Sequence, residues 1–257
     1  MSPIRLPATW MRGGTSKGLF LDPADLPADP ARRDALLLRA LGSPDPYGTQ
    51  IDGLGGATSS TSKVALVSRS TRPGFDVDYR FGAVAVGEPV IDWSGNCGNL
   101  SAAVGMFALH RGLITASGDG IVAIRIWQAN LDEAIVAHVP VRNGQPVENG
   151  DFRLAGVAFP GAKIALDFLD PGGETALLPS GRPRDRLTVS GLGEIEATLL
   201  NAGNPTVFVR AADLGLTGRE ARADFNRDAA LLARCEAIRA RGAVAMGLAA
   251  SVEDATT

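Results

Sequence analysis

The chain has 257 residues, 45% of them hydrophobic, and a net charge of −3 from 25 Lys and Arg against 28 Asp and Glu. That is enough to bury a core in one large or two smaller domains, without the basic surplus that holds nucleic acid. Two cysteines do not make a disulfide framework, so a reducing cytoplasm is the expected setting; two histidines and 5% aromatic residues argue against a histidine-based metal site and a base-stacking platform, and no run approaches a membrane span or the order of a signal peptide.

Ile4 to Trp10 reads as a short opening strand. It runs into Met11-Arg-Gly-Gly-Thr-Ser-Lys-Gly18, with two adjacent glycines, two hydroxyls, Arg12 and Lys17. The order and spacing differ from a Walker A loop. A bare hairpin turn would explain the glycines, but two cations and two hydroxyls favour a carboxylate cradle. Pro30 to Leu41 is predicted as a helix, capped by Asp29 and stopped by Gly42, with Arg32, Arg33 and Arg39 on a solvated face. Tyr47 to Ser62 is loop chemistry ending at Lys63, which opens the strand Lys63 to Ser68. A lysine at such a junction is commonly just exposed, yet partial desolvation there would suit it to proton transfer.

Alternating strands are predicted within Phe75 to Trp93 and Gly120 to Val141. Between them lies Asp92-Trp-Ser-Gly-Asn-Cys97-Gly-Asn-Leu-Ser101, leading into a helix with Leu100, Ala103, Val104, Phe107 and Ala108 on one face and Gly112 as its stop. Cys97 is thus expected where a loop becomes a helix, its sulfur facing the same cavity as Lys63. A small buried residue in a tight turn is the ordinary reading of a lone cysteine. The flanking glycines and asparagines, which admit a ligand close to the backbone, make it a site residue instead.

Further strands are expected at Phe152 to Phe159, Lys163 to Phe168, Leu187 to Val189, Gly193 to Asn201 and Thr206 to Arg210. Asn143-Gly144 and Asn149-Gly150 are turns, Pro171-Gly172-Gly173 breaks the chain, and Asn201 to Pro205 is a pointed loop. Asp224 to Arg241 is an amphipathic helix with Phe225, Ala229, Leu232 and Ile238 inward and Cys235 packed. The sum is an α+β protein with a boundary near residues 170 to 190.

Arg12-Gly-Gly-Thr-Ser-Lys-Gly18, Thr61-Ser-Lys63, Ser94-Gly-Asn-Cys97-Gly-Asn-Leu-Ser101 and Asn201-Ala-Gly-Asn-Pro205 together resemble the signatures of the PrpF-like isomerases, which act on methylaconitate, oxalomesaconate and methylitaconate. The resemblance implies a diaminopimelate epimerase-like fold: a curved mixed sheet wrapped around a central helix, and a second, similar domain. On that reading residues 1–175 form the N-terminal domain and 176–257 a partial second one. The family's chains are longer, and this one stops before a second central helix is expected; a sheet without its helix would leave an apolar face in water and promote self-association.

The same resemblance makes Lys63 and Cys97 the acid/base residues. It makes Arg12, Gly14, Thr15, Ser16, Lys17, Ser62, Asn96, Gly98, Asn99 and Asn204 the substrate binders, with no metal and no cofactor. The implied partner is a small unsaturated polycarboxylate rather than nucleic acid or a membrane, and a homodimer is one assembly open to it. The chemistry is coherent: removing the acidic allylic proton gives a dienolate, whose charge needs N–H donors and cations. A non-catalytic carboxylate binder is the alternative. A cysteine hydrolase is weaker, because His110 sits too far along the helix to activate Cys97.

Overall fold

The computed structural model describes residues 4–171 and 176–255, and the chain divides into two compact units, Met1–Leu169 and Asp170–Thr257. Gly172 and Gly173, read as a chain break, lie outside the described residues.

The first unit runs β1 (Thr9–Gly13), β2 (Ser16–Leu21), α1 (Pro30–Leu41), β3 (Lys63–Arg69), β4 (Val77–Val84), β5 (Ile91–Asp92), α2 (Gly98–Ser101), α3 (Val104–His110), β6 (Gly120–Gln128), β7 (Glu133–Arg142), β8 (Gln145–Pro146) and β9 (Ala165–Leu169). Its strands form one mixed sheet in the order β1-β2-β3-β4-β6-β7-β8, with β5 beside β4 and β9 beside β7. The pairs β2–β3 and β4–β6 are parallel and the others antiparallel.

Both faces of this sheet are covered, because alternate residues of its strands are apolar in both directions. Phe20, Ala65, Tyr79, Phe81, Ile124, Ile135 and Val139 pack on Leu100, Val104 and Phe107 of the central helical segment. On the other face Leu19, Leu21, Val64 and Leu66 pack on Leu37 and Leu41 of α1. Gly105 allows the close approach, since a Cβ there would stand 2.8 Å from Val139 Cγ2. The α+β class and the curved sheet around a helix are as expected.

Several elements differ from their sequence reading. The opening strand starts at Thr9, beyond Pro7, which has no N–H for a ladder. The central helix is interrupted at Ala102-Ala103, where backbone N–H groups turn to acceptors three residues back (Ala102 N to Asn99 O 3.3 Å, Ala103 N to Leu100 O 3.0 Å). Beside the break, the Ser101 hydroxyl donates to the Cys97 carbonyl at 3.0 Å, competing with the helical ladder. Phe152 to Phe159 is irregular apart from one bridge between Phe152 and Gly161, for most of its side chains face solvent and Gly156 turns it at φ +82°. Arg33 is not solvated: its guanidinium lies 4.9 Å over the Trp93 ring and pairs with Asp34 at 2.8 Å.

The second unit comprises β10 (Asp185–Val189), β11 (Gly193–Ala202), β12 (Asn204–Val209), α4 (Arg222–Arg227), α5 (Ala229–Ala245) and α6 (Val252–Ala255). Its three strands form an antiparallel meander. Leu187, Ile195 and Leu199 pack against Leu231, Ile238 and Met246, so a helix does cover this sheet face, contrary to expectation. The predicted Asp224–Arg241 helix is two helices. Asp228 restarts it by accepting the Leu231 N–H at 2.8 Å, and the shifted register buries Leu231 and leaves Leu232 40% exposed. Gly242 continues α5 because it meets Val207, where a Cβ would approach to 2.3 Å.

Phe107 is wholly buried, its ring tilted 41° against Phe20 with centroids 5.6 Å apart. Phe107→Ala is expected to cost about 3–5 kcal/mol, read as a lowered denaturation midpoint with an unchanged denaturant slope.

Candidate active site

The site begins with a hairpin. Arg12 pairs with Lys17 and Gly13 with Ser16, leaving Gly14-Thr15 as a two-residue turn with Gly14 at φ +53°. Most of the expected 11–18 loop is therefore strand. The hairpin tip is pressed on the start of α2: a Cβ on Gly13 would lie 2.6 Å from Asn99 O, and one on Gly14 2.4 Å from Asn99 Oδ1. Only glycine fits either position. Behind the tip, a Cβ on Gly18 would stand 2.8 Å from Lys63 O, and Lys17 N–H donates to Ser60 O at 2.9 Å. Three stretches far apart in sequence meet here without side chains between their backbones.

Cys97 caps α2 from extended backbone, half-buried against the central core, and its Sγ lies 3.8 Å from the Ser16 hydroxyl. Beneath it, burial pushes the Tyr79 phenol well above its usual range, and the charge of Cys97 adds in the same direction. Ser101 works against that shift, but Tyr79 Oη makes no hydrogen bond within normal geometry among the described residues. Lys63 opens β3 half-buried, with Nζ 4.8 Å over the Phe81 ring.

The remaining residues fall into distinct places. Thr15, Gly98 and Asn99 are exposed at the hairpin tip and the first turn of α2, whose leading N–H groups have no intrahelical acceptor. Asn96 is half-buried and accepts from Ser101 at 3.3 Å. Arg12 donates to Gly14 O at 2.7 Å. Lys17 is directed away from Ser16 by strand alternation, its ammonium 5.6 Å over Trp10. Ser62 is not free to meet a ligand: it is buried, and Gln50 Nε2 donates to its hydroxyl at 2.8 Å. Asn204 opens β12 in the second unit, and most of the expected Asn201–Pro205 loop is strand, since Gly203 alone turns β11 into β12.

A cavity of about 600 Å³ opens beside β1, lined by Arg12, Gly14, Asn99, Met106, His110 and the 147–164 segment. Cys97 and Lys63 do not line it. Both lie on the sheet face that carries the central helix, with Cys97 directed to Ser16. His110 pairs with Glu148 at 3.2 Å and His138 with Asp167 at 2.7 Å, and neither bonds to Cys97. Among the described residues no three of His, Cys, Asp and Glu gather as a metal set, and no helix is long and apolar enough to cross a membrane.

The loop before Lys63 is organised by two residues that the sequence reading missed. Asp45 accepts the N–H groups of Tyr47, Thr49 and Gln50 at 2.6–2.9 Å, which hold its carboxyl down to about 2 from a usual 3.8. Gln50 is buried; its amide joins Ser43, Ser62 and the Ala57 N–H. Aspartate after a proline-rich turn was a local signal for the first, while nothing local marks the second.

Among proteins of known sequence, the family model described as "PrpF protein" matches residues 3–257. The 2-methyl-aconitate isomerase of Shewanella oneidensis is 51% identical over 99% of this chain and 67% of its own length. The (4E)-oxalomesaconate Delta-isomerase of a Novosphingobium species is 48% identical over 91% of this chain and 64% of its own. The crystal structure of a methylitaconate-delta-isomerase superposes with a TM-score of 0.78 at 41% identity, covering 98% of this chain and 65% of that one. The chain thus spans about two thirds of the length of these relatives.

Because its folded-state pKa is depressed, Asp45 stabilises the fold above the ordinary carboxylate pKa, and that contribution is lost as pH falls from about 3.8 to about 2. Asp45→Asn is expected to lower the urea midpoint at neutral pH, the gap from the parent closing as a pH series descends through this window.

Proposed function

The chain belongs to the PrpF family, whose relatives above are isomerases, and from that premise we propose that it isomerises an unsaturated di- or tricarboxylate of the methylaconitate, oxalomesaconate or methylitaconate type by allylic proton transfer. The observation that carries this reading is the convergence of the Gly13–Gly18 hairpin, the Lys63 strand and the Cys97 turn. It gives a thiol and an ammonium on one sheet face, with exposed amides at the head of α2.

One of Lys63 and Cys97 takes the proton from the carbon next to the C=C–COO⁻ group. The electron pair passes through the double bond onto the carboxylate as a dienolate. The Gly98 and Asn99 N–H groups, Thr15 and Arg12 hold the substrate carboxylates and share that charge. Reprotonation at the far allylic carbon shifts the double bond; rotation within the dienolate followed by proton return exchanges cis for trans. Every proton moves between carbon and a side chain, so the step requires no cofactor.

The test is proton NMR in D₂O with the three acids. The proposal expects deuterium at the allylic carbon of at least one, and line broadening without exchange would instead favour a carboxylate-binding protein. Lys63→Ala and Cys97→Ser are each expected to slow exchange by roughly 10²–10⁴-fold. A weaker KM at unchanged kcat for Lys63→Ala would make it a carboxylate clamp.

A further inference from the structure

A side-chain bridge at the β6–β7 turn lies next to the site. The edge of β4 facing β6 is paired in three sections. Val77 to Tyr79 pair with Ile126 to Gln128, and Ala129 N–H donates to Tyr79 O at 2.8 Å. Farther along, Ala83 and Val84 pair with Asp92 and Ile91 of β5. Between these sections Phe81 has no backbone partner on that edge. The Asn130 amide occupies the gap: Oδ1 accepts the Phe81 N–H at 2.8 Å and Nδ2 donates to Phe81 O at 2.8 Å. The second Nδ2 proton goes to Trp93 O at 2.6 Å.

These three bonds join both proposed catalytic residues to one amide. The Phe81 ring is the seat of the Lys63 ammonium. Trp93 is the last residue before the Ser94-Gly-Asn-Cys97 turn, and its indole is fixed separately, between Arg33 at 4.9 Å and Arg80 at 5.1 Å, with Nε1 donating to Asp34 at 3.1 Å. Its carbonyl is held by Asn130. Asn130 is in turn oriented by the wholly buried Gln128, whose Oε1 accepts the N–H groups of Asn130 and Leu131 and whose Nε2 donates to Asn130 Oδ1.

We propose that Asn130 is a positioning residue of the isomerase site, setting the register between the Lys63 seat and the Cys97 turn through its bonds to Phe81 and Trp93. The proposal rests on the reading that Lys63 and Cys97 carry the proton transfer. The chemistry requires an amide: one acceptor for the Phe81 N–H and two donors for two carbonyls. An aspartate of the same shape offers only acceptors and sets a charge against both carbonyl oxygens.

The test uses the full chain with Cys235→Ser, so that Cys97 is the only thiol. Asn130→Asp and Asn130→Ala are compared with this parent for isomerase kinetics, for the pH profile of Cys97 alkylation by iodoacetamide, and for thermal unfolding. A displacement of about 1 Å at the reacting groups costs on the order of 10²-fold in rate. The proposal therefore expects kcat to fall by that order with KM within about threefold, and the alkylation profile to shift in both variants. A merely structural role would lower the unfolding temperature and leave the profile in place.

If both variants keep the parent's kcat and alkylation profile, the proposal is overturned. If the alkylation profile shifts but Cys97→Ser turns over normally, Asn130 does hold the turn and it is the assignment of Cys97 that fails. Should both variants fail to fold, Gln128→Met removes the orienting amide at similar volume and is expected to produce the same kcat loss in smaller degree; an unchanged kcat there counts against the proposal.

Discussion

Everything at the candidate site depends on how closely three backbones approach one another. Gly13 and Gly14 rest on Asn99 and Leu100, and Gly18 rests on Lys63, at separations that admit no Cβ. A methyl group at any of the three would push the hairpin off the helix start or off β3, and Ser16 would leave the Cys97 sulfur. The missing side chains fix the geometry more firmly than a salt bridge between the same elements could, since an exposed ion pair contributes little and tolerates movement. The sheet supplies the rest of the rigidity. β2 and β3 run parallel at the centre of a two-sided core, so Ser16 and Lys63 sit on strands buried from both faces.

Much of this was legible in the chain before folding. The helix Pro30–Leu41 carries its own start and stop: Asp29 accepts the Arg32 N–H, and Gly42 closes it at φ +79°. Strands β4, β6 and β7 declare themselves by alternation, β3 by its short apolar run after Lys63, and the core face of the central helix by its spacing. The site motifs were visible because they combine glycines with reactive and hydroxyl side chains in short runs. What stayed hidden was of two kinds. Local competition broke the central helix at Ala102 and restarted the last long helix at Asp228, where single side-chain bonds outweigh a good periodic pattern. Long-range pairing decided the others. Arg33 was read as solvated because its partner Trp93 is 60 residues away by numbering, and the bond from Asn130 to Phe81 spans 49 residues.

Both sides of the sheet bury polar groups among their apolar side chains. The face toward α1 packs leucines and valines, and beside the end of α1 it also holds the buried cluster of Ser43, Gln50 and Ser62. The face toward the central helix buries Ser16, Ser101, Gln128 and the phenol of Tyr79. Buried polar groups cost stability unless they are satisfied, and Ser101 and Gln128 are met by short local bonds. On the helix side Ser16 and Ser101 both reach Cys97, one at its sulfur (3.8 Å) and the other at its carbonyl (3.0 Å).

The glycines of the site fall into two groups with opposite consequences for redesign. Gly13, Gly14 and Gly18 form the floor, where no side chain fits. A Cβ on Gly95 meets nothing within 4 Å, and one on Gly98 meets only the edge of the Phe168 ring at 3.4 Å, an ordinary contact. The rim of the turn around Cys97 can therefore be written over with larger residues while the floor stays as it is. A mouth that can be narrowed one side chain at a time, over a base that cannot shift, gives divergence a way to sort acids that differ by a methyl or a carboxyl without rebuilding the site.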